Sequence, residues 1–311
     1  ASVGGSWAWQ PASQFHVKAG ARGLEWGRMP ESRSDMSERM DTESQPYAAH
    51  ETGQWCVRPD FREISKYTGV MKARNFELFR EDLTDRGMGD QAASFLMASG
   101  KLQALCYKHE IEKTLRTPGY AGFQLLSLND YSGQGTALVG VLNAFWEEKG
   151  YINAAEFRRF CSPTVLLARM DKFVFKNNEN LKANIEISHF GEDYLMRKHT
   201  EWKVKNALGK IISKGILSAK DIQIGNCQQL GEIHLPLSFV KEAEKLILEV
   251  TLNGTDISND WEFWVYPESL PVVDNTTVYM CDTLDEKSKT VLKNGGSVLL
   301  QLAGKVTQGK D

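Results

Sequence analysis

The spacing of apolar residues changes near residue 170, and this change limits the folds open to the chain. Before it, residues 72–86 and 91–115 read as helices, with Phe95, Leu96, Leu102, Leu105 and Ile111 recurring at helical intervals. After it, the period is two. Leu181, Ala183, Ile185 and Ile187 alternate with polar residues, as do Trp202 and Val204. Leu246, Leu248 and Val250 then meet a turn at Asn253-Gly254-Thr255, and a return strand carries Trp261, Phe263 and Val265. A chain built this way buries an α/β layer first and a sheet-on-sheet layer second.

The details sharpen that division. Residues 46–49 form a short strand that leads into the polar run His50-Glu51-Thr52-Gly53-Gln54-Trp55. Arg116-Thr117-Pro118-Gly119 ends the second long helix, and Gly122 to Leu128 follows as a buried strand ending in Asn129-Asp130-Tyr131. Residues 154–161 are a further short helix. The many short strands between turn signals after residue 170 predict an immunoglobulin-like β-sandwich. Strand 278–281, helix 284–293 and strand 297–300 make one βαβ unit. A lone unit cannot cover both faces of its sheet, so this segment reads as the start of a further α/β domain. The expected partition is 1–169, 170–268 and 269–311.

Composition excludes several classes of function. Net charge is -3 with 25% charged residues and no Lys/Arg run, so no nucleic-acid partner is expected. No apolar stretch approaches the ~20 residues of a membrane span. The five cysteines are odd in number and form no CxxC pair, which argues against a disulfide framework or a zinc site. A zinc protease motif would need His where Gln54 stands. Gly133-Gln134-Gly135 lacks the third glycine of a dinucleotide fingerprint, because Leu138 holds that place. Neither a metal nor a cofactor is expected.

Glu51 is the leading candidate for chemistry. A carboxylate that attacks an anomeric carbon needs amide or imidazole neighbours for sugar hydroxyls and an aromatic face for the sugar's C–H surface. His50, Gln54 and Trp55 supply these types within the same six residues. Asn129 and Asp130 are candidate substrate-binding residues at a second strand end, and His16 at a third. Each has a plainer reading: a surface Glu after a strand, a turn-forming Asp, a structural His. Phe145, Trp146, Trp261 and Trp264 read as core aromatics.

Three blocks now point to a family: HETGQWCVRPDFREISKYTG (50–69), ASFLMASGKLQALCYKHEIE (93–112) and GFQLLSLNDYSGQGTALVGVLNAFWEEKGY (122–151). They resemble the C-terminal barrel segment of glycoside hydrolase family 2, the β-galactosidase and β-glucuronidase family. The resemblance implies a retaining, exo-acting enzyme that cleaves terminal β-linked sugars, built on a (β/α)8 TIM barrel with immunoglobulin-like domains around it. The family's nucleophile is a Glu at the end of the seventh strand in a Glu-aromatic-Gly motif; Glu51 and Gly53 match it, with Thr52 in the middle place. The family's acid/base is a Glu after an Asn on the fourth strand. No such pair occurs in residues 1–46, so the resemblance puts that residue upstream of residue 1 and predicts an inactive isolated chain. The eighth strand carries Gln124, Leu125 and Ser127 in place of the family's usual Trp. The partners implied are an oligosaccharide or polysaccharide substrate and the rest of the same polypeptide on both sides, in a periplasmic or secreted protein. A non-catalytic carbohydrate-binding or scaffold module is the alternative.

Overall fold

The structure is a computed structural model that describes residues 16–19, 29–40, 47–53, 55–132, 135, 137–269 and 277–304. It is mixed and mostly β, with some helices and several sheets. The chain divides into two compact units, Ala1–Pro267 and Glu268–Asp311.

The first unit opens with a parallel sheet. Its strands are β1 (His16–Ala19), β2 (Tyr47–Thr52) and β3 (Tyr120–Leu125), and they lie side by side in chain order. A four-residue helix, α1 (Ser37–Met40), lies between β1 and β2. The register pairs Ala19 with His50 across the first interface and Thr52 with Leu125 across the second. Among the described residues this sheet has three strands and does not close into a barrel.

Between β2 and β3 run a 3₁₀ helix at residues 61–66 and two long helices, α2 (Arg74–Asp85) and α3 (Ala92–Leu115). Asp60 caps the 3₁₀ helix by accepting the Arg62 backbone N–H at 3.0 Å, which satisfies one of the donors a helix start leaves open. The second helix differs from its sequence reading in the face it buries. Leu102 and Leu105 are exposed, whereas Leu96, Gly100, Gln103, Tyr107, Glu110 and Thr114 are buried. That buried stripe keeps helical spacing yet is largely polar, so counting apolar residues found Leu96 and Ile111, which are buried, but misplaced Leu102 and Leu105. After β3 a long loop leads to α4 (Ala154–Arg158), which has a complete capping box: Asn153 accepts the Glu156 N–H at 2.9 Å, and Glu156 accepts the Asn153 N–H at 3.0 Å. On that loop Trp146 is 65% exposed with φ +65°, which corrects its reading as a core residue.

A β-sandwich fills the rest of the unit. The smaller sheet holds β4 (Thr164–Arg169), β6 (Asn180–His189) and β9 (Gly225–Pro236), ordered β4-β6-β9. The larger sheet holds β5 (Val174–Lys176), β7 (Leu195–Asn206), β8 (Ile211–Ile222), β10 (Glu244–Leu252) and β11 (Ser258–Tyr266), ordered β5-β11-β10-β7-β8. The alternation read from the sequence sets the inner faces: Leu246, Leu248, Val250, Trp261, Phe263 and Val265 are buried. They meet Leu166, Leu181, Ile185 and Ile233 of the smaller sheet in one continuous core. The β10–β11 hairpin pairs Leu246 with Phe263 and Leu248 with Trp261, and its turn places Gly254 at φ +72°, a conformation glycine adopts without steric penalty.

The second unit is β12 (Val278–Cys281), α5 (Glu286–Lys293) and β13 (Ser297–Leu300), with β12 and β13 parallel. Asp285 caps α5 by accepting the Ser288 N–H at 2.7 Å.

Candidate functional site

β2 is the middle strand of the parallel sheet, and its C-terminal end carries Glu51 and Thr52. Glu51 is half-buried with φ +55°, the left-handed region that non-glycine residues rarely enter. Gly53 follows with φ +87°. A side chain at Gly53 is ruled out on two counts: the backbone is left-handed, and a Cβ there would lie 1.8 Å from the Tyr107 ring. The backbone therefore departs from the extended strand conformation at Glu51 and again at Gly53. Thr52 pairs with the next strand after a register shift between Ala49 and Thr52, its carbonyl accepting the Leu126 N–H at 3.1 Å.

The buried polar stripe of α3 holds this segment. Glu110 accepts the Gly53 N–H at 3.0 Å through one carboxylate oxygen and the Trp55 indole N–H at 2.7 Å through the other. Gln103 donates to the Trp55 carbonyl at 2.6 Å and to the Val139 carbonyl at 3.0 Å. The Tyr107 hydroxyl donates to the Val139 carbonyl at 2.9 Å, and burial pushes its pKa far above the usual tyrosine range. Three side chains of one helix thus tie the turn after β2 to the loop after β3.

That loop contains a second, fully internal cluster. Asp130 is 3% exposed; it accepts the Gly140 N–H at 2.9 Å and lies 2.7 Å from the Lys149 ammonium. Lys149 is equally buried and also donates to the Gly140 carbonyl at 2.7 Å. Burial raises the Asp130 pKa, the lysine opposing it, and lowers that of Lys149. Glu63, from the 3₁₀ helix, is 2% exposed, and one of its oxygens has no hydrogen-bond partner. Burial raises its pKa to about 7, and the Asp130 charge adds to this while Lys149 opposes it. Glu63 and Asp130 line a cleft together with Tyr67, Asn75, Ser132 and Leu138.

The residues expected from sequence fall into distinct places. Glu51 and Trp55 share the turn that Glu110 grips. Asn129 is half-buried, donates to the Asp130 carbonyl at 3.0 Å and forms a backbone bridge with Leu142. Asp130, expected to touch substrate, turns its carboxylate inward to Lys149 and Gly140. Gln54 and the side chains of His16 and His50 lie outside the described residues. Glu63, Gln103, Glu110 and Lys149 were not picked out from the sequence. The signal for two of them was there: Gln103 and Glu110 continue the spacing of Leu96, Gly100, Tyr107 and Thr114 on one helix face.

Comparison with known proteins adds a family and some loose likenesses. Residues 179–267, most of the sandwich, match a family described as a domain of unknown function, DUF8488. No curated protein matches the chain. Among solved structures, the exo-chitosanase CsxA of Amycolatopsis orientalis is similar over 62% of this chain and 22% of its own, at 12% identity and a TM-score of 0.35. The β-glucuronidase of Parabacteroides merdae is similar over 33% of this chain and 14% of its own, at 12% identity and a TM-score of 0.25. The sporulation control protein Spo0M of Bacillus subtilis is similar over 34% of this chain and 51% of its own, at 13% identity and a TM-score of 0.28. The chain thus spans about a fifth of the exo-chitosanase and about half of the sporulation protein. Likenesses this loose define neither a fold nor a function for the chain. Among the described residues no helix is long and apolar enough to cross a membrane.

Proposed function

We propose that this chain is part of a retaining, exo-acting glycoside hydrolase of the family 2 type, with Glu51 as its nucleophile. In this reading residues 1–169 are the C-terminal part of a (β/α)8 barrel, 170–268 an immunoglobulin-like sandwich and 269–311 the beginning of an α/β domain. The observation that carries it is the position of Glu51. It stands at the C-terminal end of the middle of three parallel strands, half-exposed, on a left-handed backbone held by buried groups. Strand C-terminal ends are where barrel enzymes put their working side chains, and rare backbone conformations cluster at functional sites. The resemblance of residues 50–69, 93–112 and 122–151 to the family supports the same assignment.

The chemistry follows from a pair of carboxyl groups about 5 Å apart. A Glu51 oxygen attacks the anomeric carbon while the glycosidic C–O bond breaks. The leaving oxygen keeps the bonding electrons and takes a proton from the acid/base, which this reading assigns to the polypeptide upstream of residue 1. The same group, now a base, deprotonates a water that attacks the glycosyl-enzyme and frees Glu51. The Trp55 ring face and the side chains of His50 and Gln54 are the proposed sugar contacts. The substrate is a terminal β-linked sugar of an oligosaccharide or polysaccharide, and a periplasmic or secreted location suits it.

Glu51→Gln in the complete enzyme tests the reading. A covalent nucleophile contributes most of the rate, so turnover of a panel of 4-nitrophenyl β-glycosides should fall by about 10⁴-fold or more with the melting temperature unchanged. Near-normal turnover by this variant excludes Glu51. The 311-residue chain alone should show no turnover.

A further inference from the structure

The turn that presents Glu51 has to be held in place from outside itself. A left-handed Glu at φ +55° and a left-handed glycine two residues later form a local geometry that an isolated peptide would abandon. Such a geometry persists only where surrounding structure over-determines it. Two side chains of α3 do so. Tyr107 occupies the space beside Gly53, so the turn cannot shift toward the helix. Glu110, 1% exposed, holds the turn from the same side through two donors, the Gly53 N–H and the Trp55 indole N–H. These donors lie two and four residues beyond Glu51. One rigid carboxylate on a 24-residue helix therefore sets both the backbone path after Glu51 and the orientation of the aromatic ring that follows.

We infer that Glu110 is the positioning residue of the Glu51 site: through its paired hydrogen bonds to Gly53 and Trp55 it aims the Glu51 carboxylate, without touching substrate itself. The inference rests on Glu51 being the nucleophile. Its chemistry is specific to a carboxylate. Both oxygens accept, and Gly53 and Trp55 each present an N–H donor. An amide at position 110 would accept from one donor and turn its own N–H₂ toward the other, so one arm of the clamp becomes a donor–donor clash. An aspartate keeps the charge but, one methylene shorter, cannot span both donors. Displacing a reacting group by about 1 Å costs on the order of 10²-fold in rate.

The experiment uses the complete enzyme and compares Glu110→Gln, Glu110→Asp and Glu51→Gln. For the two position-110 variants, kcat per folded molecule should fall by about 30- to 100-fold with KM within about threefold of wild type. Labelling of Glu51 by a 2-deoxy-2-fluoro glycoside, read by mass spectrometry, should slow by the same factor. Amide hydrogen exchange should rise at residues 51–55 and stay unchanged along the rest of α3. Exchange rising throughout α3, with kcat per folded molecule at the wild-type level, would mean that Glu110 only stabilises the helix, and it overturns the inference. Should Glu110→Gln fail to fold, Glu110→Asp decides by the same kcat criterion. An inactive Glu51→Gln beside fully active position-110 variants removes the inference and leaves the nucleophile assignment standing. An active Glu51→Gln removes both.

Discussion

Glu63 illustrates how one carboxyl group sets a pH dependence. It is buried beside a cleft, with Asp130, Asp60, Lys66 and Lys149 as its charged neighbours. Its pKa rises from 4.5 to about 7 because burial disfavours the charged form. A carboxyl whose folded pKa lies above its unfolded value favours the fold when protonated. That stabilisation is therefore complete below about pH 4.5 and is lost as pH rises through about 7. A change of this size corresponds to about 3 kcal/mol at most. The urea midpoint should accordingly fall between pH 5 and pH 8, and Glu63→Gln should flatten that part of the profile. Identical profiles for wild type and Glu63→Gln would show that the carboxyl is solvated in solution. The same residue scale explains Asp130: its carboxylate, with the Lys149 ammonium 2.7 Å away and the Gly140 N–H bonded to it, ties positions 130, 140 and 149 together.

At the scale of elements, α3 is the joint of the first unit. One face of it, through Gln103, Tyr107 and Glu110, meets the segment after β2 and the loop after β3. Another face, through Lys108 and Glu112, meets the sandwich. Glu112, buried, accepts the Asn259 amide at 2.8 Å and the Lys108 ammonium at 2.5 Å through one oxygen, and the Trp261 indole N–H at 3.0 Å through the other. Lys108 also lies 4.9 Å from the Trp261 ring centre, within cation–π range. Where β11 meets the helix, the contact is thus a polar network with satisfied partners rather than an apolar seam. Removing Glu112 takes the acceptor from the buried Trp261 indole N–H and the counter-charge from Lys108. Glu112→Ala should destabilise the first unit by about 3–5 kcal/mol, with Glu112→Gln costing less, measured by urea unfolding. A loss below about 1 kcal/mol would mean that water replaces the carboxylate.

For the whole molecule, the two halves of the first unit differ in self-sufficiency. The sandwich core is drawn from β4 to β11 alone, with Leu166, Ala168, Ile185, Leu248 and Phe263 all buried. The part before it is divided among three small clusters. The matched family region, 179–267, begins after β4 and β5 and omits Leu166, Ala168 and Phe175 from that core. Residues 162–267 expressed alone should therefore fold and unfold cooperatively by circular dichroism. Residues 179–267 should be less stable by several kcal/mol or aggregate, since the β6 edge and its apolar face are then uncovered. Equal stability of the two fragments would show that β4 is dispensable. The three-stranded parallel sheet is the opposite case, because parallel sheets are stable when covered on both faces.

Much of this was legible in the sequence because it depends on local periodicity. Alternation fixed the inner faces of β6, β10 and β11, the Asn253-Gly254-Thr255 turn ended β10, and Arg116 to Gly119 ended α3, since strand pleat, helix pitch and turn chemistry are properties of neighbouring residues. The candidate Glu51 was visible through its strand-end context and its cluster of polar neighbours. What the tertiary structure alone decided was which face of α3 is buried, where Asp130 points and what holds Glu51. Leu102 and Leu105 satisfy helical spacing as well as Leu96 does, and only packing against β2 and the loop after β3 turns Gln103, Tyr107 and Glu110 inward instead. Asp130 reads as a turn former until Lys149, 19 positions later, folds back onto it. Glu110 joins Gly53 across 57 positions of sequence. Such pairings depend on the long-range closure of the chain, so no window of neighbouring residues contains them.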